Sequence, residues 1–472
     1  MKLQIYKHCL SQPSHAVIIF CKLHQIEFEE IEISLANGQQ YTPEYKVINP
    51  MGKLPAIVHG TYKLSESHAI LIYLASFPGV ADHWYPSDIQ KRAKIQSVLD
   101  WHHSNLRQTA AYVMNSSAAP LLRRKLNLEA AVINRKVLLK SLKMIENFWL
   151  NGDGKFLLGN SQPSIADLSL ACEIMLLELV PDRDQILSPY KKVLQWIEDT
   201  RNATNPFFDE LHSLMFELKA VLTVESSVAE HSEARRKLRT LLSKLLNGIE
   251  FEEIDVSLAK GQQFKAEFKA INPMARVPAI VHGSYKLFES HAILIYLACT
   301  FPGVPDHWYP ADIQQRAKIH SVLDWHHSNL RLGEAGYVLD SRLRPLLGGK
   351  LNLEAAAVNE KLLSKSLAKI ETFWLRGDGK FLLGNFQPSI ADLSLVCEIM
   401  QLEIVPEIDR NRILSPHKKV LQWMEDTKNA TNPYFDELHS FILELKAVLK
   451  ADSSVGVTEE TKQRSQAVLS KL

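Results

Sequence analysis

Ser11 sits in the loop Cys9-Leu10-Ser11-Gln12-Pro13, directly before a segment in which Ala16, Val17, Ile19, Phe20 and Leu23 recur at helical spacing. Pro13 suits the first turn of that helix, where its missing N–H would have had no partner. A serine here has two possible uses: its oxygen can cap the helix, or its hydroxyl can donate to an anion at the positive end of the helix dipole. The residue types leave both open. A second group of candidates lies in Asn49–Leu74, NPMGKLPAIVHGTYKLSESHAILIYL. It reads as a loop with Lys53, a strand marked by Pro55, a turn, a second strand, and Glu66-Ser67 opening a helix. A cation, a carboxylate, a hydroxyl and the N–H groups of a helix start suit a small, peptide-like anion. For Lys53 or Arg107 taken singly, an exposed charge without a role is the plainer reading. Neighbouring His102-His103 and His326-His327 diverge by about 100° on a helix, whereas zinc ligands on a helix are usually three or four residues apart. No metal site is expected there, and no Gly-rich phosphate loop, nucleophile elbow or pair of catalytic carboxylates stands out.

The elements that must position these residues occur twice. Asn49–Leu74 returns as NPMARVPAIVHGSYKLFESHAILIYL over Asn272–Leu297. In the first copy a short alternating strand over Lys2–Tyr6, the helix from Pro13, a strand over Phe28–Ser34, strands at 54–58 and 62–64 and a helix over His68–Leu74 form a β-α-β unit followed by a hairpin and a helix. That order is the one a thioredoxin-like domain gives. From Asp88 apolar residues recur three and four apart, with breaks at Pro120, Asn151–Gly154, Pro163 and Pro189, so the following domain is all helix. Ser164-Ile165-Ala166-Asp167 and Ser389-Ile390-Ala391-Asp392 read as capping boxes that start buried helices.

Ile26 matches Ile249, but upstream of that pair the match fails, so the second copy lacks the first strand, most of the first helix and the counterpart of Ser11. Ala220–Leu245 aligns instead with Ala447–Leu472, so each copy ends in Ser-Lys-Leu. The expected organisation is a thioredoxin-like domain at 1–79, a helical domain at 88–222, a linker at 223–248, a truncated thioredoxin-like domain at 249–303, a helical domain at 312–450 and a tail at 451–472. Leu238, Leu241, Leu242, Leu245 and Leu246 lie at helical spacing, which leaves a replacement helix and a plain tail as alternatives. Arg235-Arg236-Lys237 reads as a solvated face.

Composition bounds the class. The 472 residues are 46% hydrophobic and 23% charged, with a formal net charge of +1, which gives no electrostatic reason to expect nucleic acid or an anionic membrane as a partner. Five widely spaced cysteines without a C-x-x-C pair suit a reducing compartment. Neither a secretion signal nor a long uncharged apolar stretch is visible, so a soluble intracellular protein is expected. Ser470-Lys471-Leu472 has the form of a peroxisomal address, with the cytosol as the alternative.

Ser11-Gln12-Pro13-Ser14, Leu54-Pro55, Glu66-Ser67 and Trp101-His102-His103 followed by Arg107 together resemble a plant theta-class glutathione transferase. The resemblance covers nearly all of both copies except the missing head of the second. It implies a glutathione-binding domain, a helical domain that shapes the electrophile pocket, glutathione as cosubstrate and no cofactor. It also implies attack by the glutathione thiolate on an electrophile or an organic hydroperoxide. Ser11 is then the group that favours the thiolate. Gln12, Gln40 and Tyr41 fall at glutathione contacts, and Lys53 suits the glycine carboxylate. Leu54 before a cis Pro55 offers its backbone to the cysteinyl part. Glu66 suits the glutamyl ammonium, Ser67 the glutamyl carboxylate, and Arg107 an anion near the sulfur. Cys9 supports an alternative, thiol transfer, and a second is a glutathione-binding or scaffolding protein without turnover. His15 stands where arginine is expected, which puts a neighbouring ion pair in doubt.

The second copy retains Gln263, Phe264, Arg276, Val277, Pro278, Glu289, Ser290 and Arg331 at the matching places, so a weak or vestigial clamp is expected there. The resemblance further implies a dimer, or pairing of the two units within one chain. Tyr112 and Met114 could line the pocket or simply pack the core.

Overall fold

Leu3 and Ile5 are buried on one face of a short strand, β1 (Leu3–Lys7), and this alternation places β1 inside a sheet. β1 pairs in parallel with β2 (Phe28–Glu32) and antiparallel with β3 (Ala56–His59), which pairs antiparallel with β4 (Tyr62–Ser65). The strand order is β2-β1-β3-β4, so β1 is interior. β3 begins after Leu54-Pro55 rather than at Leu54, because proline has no N–H to give a ladder. The registers Tyr6↔Ala56 and Ala56↔Ser65 bring three chain segments to one end of the sheet: the exit of β1, the entry of β3 and the exit of β4. In this computed structural model the described residues are 2–35, 37–119, 125–219, 252, 254, 256, 261–347 and 350–451.

Helix α1 (Gln12–Leu23) joins β1 to β2 and is buried from Gln12 through Cys21 apart from Pro13. A one-turn α2 (Pro43–Lys46), capped by Thr42, precedes β3, and α3 (Ser67–Ala75) follows β4. The helical domain contains α4 (Ile89–Ser104), α5 (Gln108–Val113), α6 (Leu128–Met144), α7 (Ile165–Met175), α8 (Arg183–Leu187), α9 (Lys191–Thr204) and α10 (Phe207–Lys219). Every residue of α7 is buried, and α7 packs against α1, α3, α4, α5 and α9. Its start is the capping box expected from Ser164 and Asp167. The Asp167 carboxylate accepts from Ser164 N and Ser164 Oγ at 2.8 and 2.7 Å, from Leu157 N at 2.8 Å and from Trp196 Nε1 at 2.8 Å. Burial pushes this carboxyl up, and those four donors pull it back.

By contacts the chain divides into Met1–Ser232 with Asp312–Asp324, and Glu233–Ala311 with Trp325–Leu472. Among the described residues of the second copy, β5 (Ala279–His282) pairs with β6 (Tyr285–Phe288), and β5 has no second strand neighbour. A helix at Ser290–Thr300 follows, and the helical part repeats at Ile313–Ser328, Leu330–Val338, Leu353–Lys369, Ile390–Ile399, Glu407–Leu414, Lys418–Thr431 and Tyr434–Ala451. The 223–248 linker with its leucines and basic run, the start of the truncated domain at 249 and the terminal Ser470-Lys471-Leu472 lie outside the described residues. None of the described helices is long and apolar enough to cross a membrane.

Candidate functional site

The loop after β1 holds Ser11, which is the N-cap residue of α1 with extended backbone angles. Its side chain makes no capping hydrogen bond; Ser14 Oγ instead donates to Ser11 Oγ at 2.8 Å. With its oxygen accepting from Ser14, the Ser11 hydroxyl has its own hydrogen to give.

The loop before β3 is pinned from below. Tyr45 Oη and Asn49 Nδ2 donate to the Lys53 carbonyl at 2.6 and 2.8 Å, and Tyr45 is buried in a small core with Ile33 and Ala56 against which Leu54 packs. The Leu54-Pro55 peptide is cis. Gly52 has φ +64°, and a Cβ there would stand 3.0 Å from both the Gln40 carbonyl oxygen and the Tyr41 ring. Glycine thus lets the Lys53 loop lie against the 3-10 turn Gln39–Tyr41. Within that turn Gln40 is buried while Tyr41 is 58% exposed. Gln40 Oε1 is buried without a hydrogen-bond partner among the described residues.

Beyond β4, Glu66 adopts φ +69°, ψ 123°, where a residue with a Cβ is strained, and Ser67 begins α3. Glu66 Oε1 is buried and finds no hydrogen-bond partner among the described residues. Gln40, Tyr41, Lys53, Leu54, Pro55, Glu66 and Ser67 therefore belong to loops that meet at the sheet end where β1 runs on to Ser11.

Gln12 is turned away from this gathering. It is 1% exposed, and its amide meets His212 Nε2 of α10 at 2.8 Å. His212 Nδ1 lies 2.7 Å from the Phe208 carbonyl, and burial holds the imidazole neutral, down at about 4. The Gln12 amide oxygen faces Nε2 and the Phe208 carbonyl faces Nδ1, and a neutral ring can donate to only one of them. The side chain expected to touch the ligand instead ties α1 to α10. His15 packs edge-on against His212, and burial first, then His212, lowers it to about 3. It is a neutral core group where the resemblance places a cation. Tyr112, 1% exposed, gives its hydroxyl to Asp182, which is the core reading.

Arg107 immediately precedes α5 and pairs with Glu173 near the end of α7. The pairing was not visible in the sequence, because nothing in their spacing connects the two. Glu173 is 1% exposed. Burial alone would raise its carboxyl, but Arg107 and His102 more than offset that and hold it below the usual range.

Residues 1–76 and 231–299 match the family described as glutathione S-transferase, N-terminal domain, and residues 117–205 match glutathione S-transferase, C-terminal domain. Glutathione S-transferase T1 of Arabidopsis thaliana is 64% identical over 201 residues, 43% of this chain and 82% of that protein. The chain belongs to the glutathione S-transferase family. Human glutathione S-transferase theta-2 is 38% identical over 37% of this chain and 71% of its own length, which places the chain with theta-class transferases. Glutathione S-transferase T3 of Arabidopsis thaliana is 59% identical over 46% of this chain, a stretch that spans 38% of T3.

For a glutathione transferase the thiolate must come from the cosubstrate, and Cys9 is ill suited to replace it. Burial first, then Glu32, push the Cys9 thiol up. His8, Cys9 and Glu32 bring donor atoms within 4.8 Å of one another. His8 Nδ1, however, accepts from Leu10 N at 3.1 Å, and Glu32 binds Lys7 at 2.8 Å.

In the second copy Gln263 is buried, Phe264 is 61% exposed, the Val277-Pro278 peptide is cis and Glu289 has φ +68°. Asn272 Nδ2 donates to the Arg276 carbonyl at 2.5 Å, and Ser290 opens the helix after β6. Arg331 pairs with Glu398 at 2.9 Å. The backbone of the clamp is thus repeated, while the upstream elements that carry Ser11 in the first copy have no counterpart among the described residues.

Proposed function

We propose that the first unit carries the transferase activity and that Ser11 is its catalytic residue. The observation that supports this most is the Ser11 hydroxyl, which makes no capping bond, accepts from Ser14 and so keeps its hydrogen for the glutathione sulfur. The thiolate favoured in this way attacks an electrophilic carbon and expels the leaving group. With an organic hydroperoxide it attacks the terminal oxygen, releases the alcohol and becomes a sulfenic acid, which a second glutathione converts to the disulfide and water. Glu66 takes the glutamyl ammonium: a buried carboxylate oxygen without a partner, on a strained backbone, suits a cation that arrives with the ligand. Ser67 and the start of α3 take the adjoining carboxylate. Lys53 takes the glycine carboxylate, the Leu54 backbone the cysteinyl amide, and Gln40 and Tyr41 flank them. Arg107 supplies a second positive charge near the sulfur.

Turnover of glutathione with 4-nitrobenzyl chloride and with cumene hydroperoxide by the full chain tests the reading. Ser11→Ala is expected to lower kcat by about 10²-fold or more while glutathione still binds. Undiminished turnover in Ser11→Ala would sink it, and binding without turnover in the wild type would favour the non-catalytic platform. We also propose a dimer, read by light scattering, and a peroxisomal address at Ser470-Lys471-Leu472, read by imaging an amino-terminally tagged protein with and without that tripeptide.

A further inference from the structure

A line of buried side chains runs from the first turn of α3 to the residue that opens α5. His68, next to Ser67, places Nε2 2.9 Å from Ser169 Oγ and 3.1 Å from His102 Nδ1. His102 Nε2 lies 3.7 Å from Glu173 Oε2, and the same oxygen accepts from Arg107. His68, His102 and Glu173 are each at most 3% exposed, whereas the Arg107 side chain is 37% exposed. The line is sealed along its length and open only at the guanidinium.

Its protonation is consistent in one direction. Burial first, then the neighbouring His103, His102 and Arg107, hold His68 well below its ordinary range. His102 is likewise lowered by burial, though Glu173 pulls the other way. One of His68 Nε2 and His102 Nδ1 donates to the other, and His102 Nε2 faces the Glu173 carboxylate at 3.7 Å, in contact but beyond hydrogen-bond reach. The groups facing Glu173 are Arg107 from the turn before α5 and His102 from α4, with the neighbouring Cys172 thiol, pushed well up by burial and then by Glu173, on its own helix.

We propose that Glu173 is a positioning residue for the transferase reaction. It holds Arg107 beside the glutathione sulfur, at the end of a packed line through His102 and His68 that reaches the helix start receiving the glutamyl carboxylate. The inference rests on the reading of Arg107 as an anion contact. A buried carboxylate costs several kcal/mol unless it is paired, so a pair that leaves its cation half open to solvent does more for direction than for stability. An arginine fixed in this way does not have to be ordered when the thiolate forms.

The test is the pH dependence of kcat/KM for glutathione with 4-nitrobenzyl chloride in the full chain. Removing a negative charge near the sulfur would by charge alone make the thiolate easier to form, moving the acid limb down in pH. Loss of the Arg107 position does the opposite. Glu173→Gln is expected to move the acid limb up by about one unit and to lower kcat/KM at neutral pH about tenfold. Arg107→Ala should do the same, and the double variant should add nothing further. A downward or absent shift in Glu173→Gln, or additive effects in the double variant, overturns the proposal. If thermal unfolding shows that Glu173→Gln does not fold, His102→Gln and His68→Gln are read in the same assay. A smaller upward shift is expected in both, and none in either overturns the proposal. Wild-type protein without turnover would sink the functional reading first, and the inference with it.

Discussion

The two copies of the clamp share most of their letters but not their surroundings. In the first, Thr42 caps α2, Tyr45 gives its hydroxyl to the Lys53 carbonyl, and Gly52 makes the left-handed turn. In the second these positions hold Lys265, which makes no cap bond, Phe268, which has no hydroxyl, and Ala275, forced to φ +53°. Val58 is half-buried in β3, where β1 pairs with it, while Val281 in β5 is 52% exposed. The anion contact differs as well. The Arg107 side chain is 37% exposed and that of Arg331 only 10%. Where the first copy has Thr109 the second has Glu334, fully buried, its carboxyl pushed well up by burial and by Glu398 against the pull of Arg331. Closed in beside Glu398, Arg331 offers a ligand far less of its guanidinium than Arg107 does. The frame of the clamp recurs in the second copy without the Thr42 cap, the Tyr45 hydroxyl and the glycine turn of the first.

The comparison breaks most sharply where the copies should behave alike. Asp392 accepts from Leu382 N, Ser389 N, Ser389 Oγ and Trp423 Nε1 at 2.7 to 2.9 Å, as Asp167 does from its own four donors. Each substitution, Asp167→Ala and Asp392→Ala, leaves several buried donors unpaired and is expected to cost about 3–5 kcal/mol in urea unfolding followed by hydrogen exchange on peptides of each copy. A marked difference between the two would show that the second helical domain is not held together as the first is.

Acid should separate the copies. His15 and His212 are neutral when buried, at about 3 and about 4, and take up protons readily once unfolded, so proton binding favours the unfolded chain. Their contribution is complete above about pH 6.5 and is lost progressively as pH falls, toward about 4 for His212 and about 3 for His15, on the order of 3 kcal/mol for His212 alone. His439 stands at the His212 position of the second copy, hydrogen-bonded to the Phe435 carbonyl at 2.8 Å. His15 has no counterpart there, because the match fails upstream of Ile249. Protection factors in α1 and α10, taken relative to the slower intrinsic exchange in acid, should therefore fall on acidification, and His212→Gln should flatten that response. An α1 and α10 as protected at pH 4.5 as at pH 7 would contradict the burial argument.

The fold was largely legible because its signals are local. Alternation gave the strands near their observed bounds, Pro13 and the apolar spacing gave α1, and Ser164 and Asp167 gave the start of α7. The clamp was legible as a set of loops for the same reason. What escaped is what only tertiary packing creates. Glu173 meets Arg107 across two helices, His68 meets His102 across two domains, and Gln12 is claimed by a histidine two hundred residues away. Even the adjacent His102-His103, weighed in the sequence as metal ligands, has its meaning in what α3 and α7 bring to it.

The smallest difference between the copies is also the most local, and it can be exchanged. Gly52 and Ala275 occupy the same left-handed turn, at φ +64° and +53°. Alanine in that region costs on the order of 1 kcal/mol relative to glycine, so Ala275→Gly should stabilise the second copy by about that much. Gly52→Ala meets the same backbone cost and a further one, because its Cβ would stand 3.0 Å from the Gln40 carbonyl oxygen and from the Tyr41 ring. Moving that turn displaces both walls of the first clamp, so KM for glutathione should rise several-fold in Gly52→Ala while Ala275→Gly leaves it unchanged. Should Ala275→Gly lower KM instead, the second clamp takes part in turnover, and the division of labour between the copies would have to be redrawn.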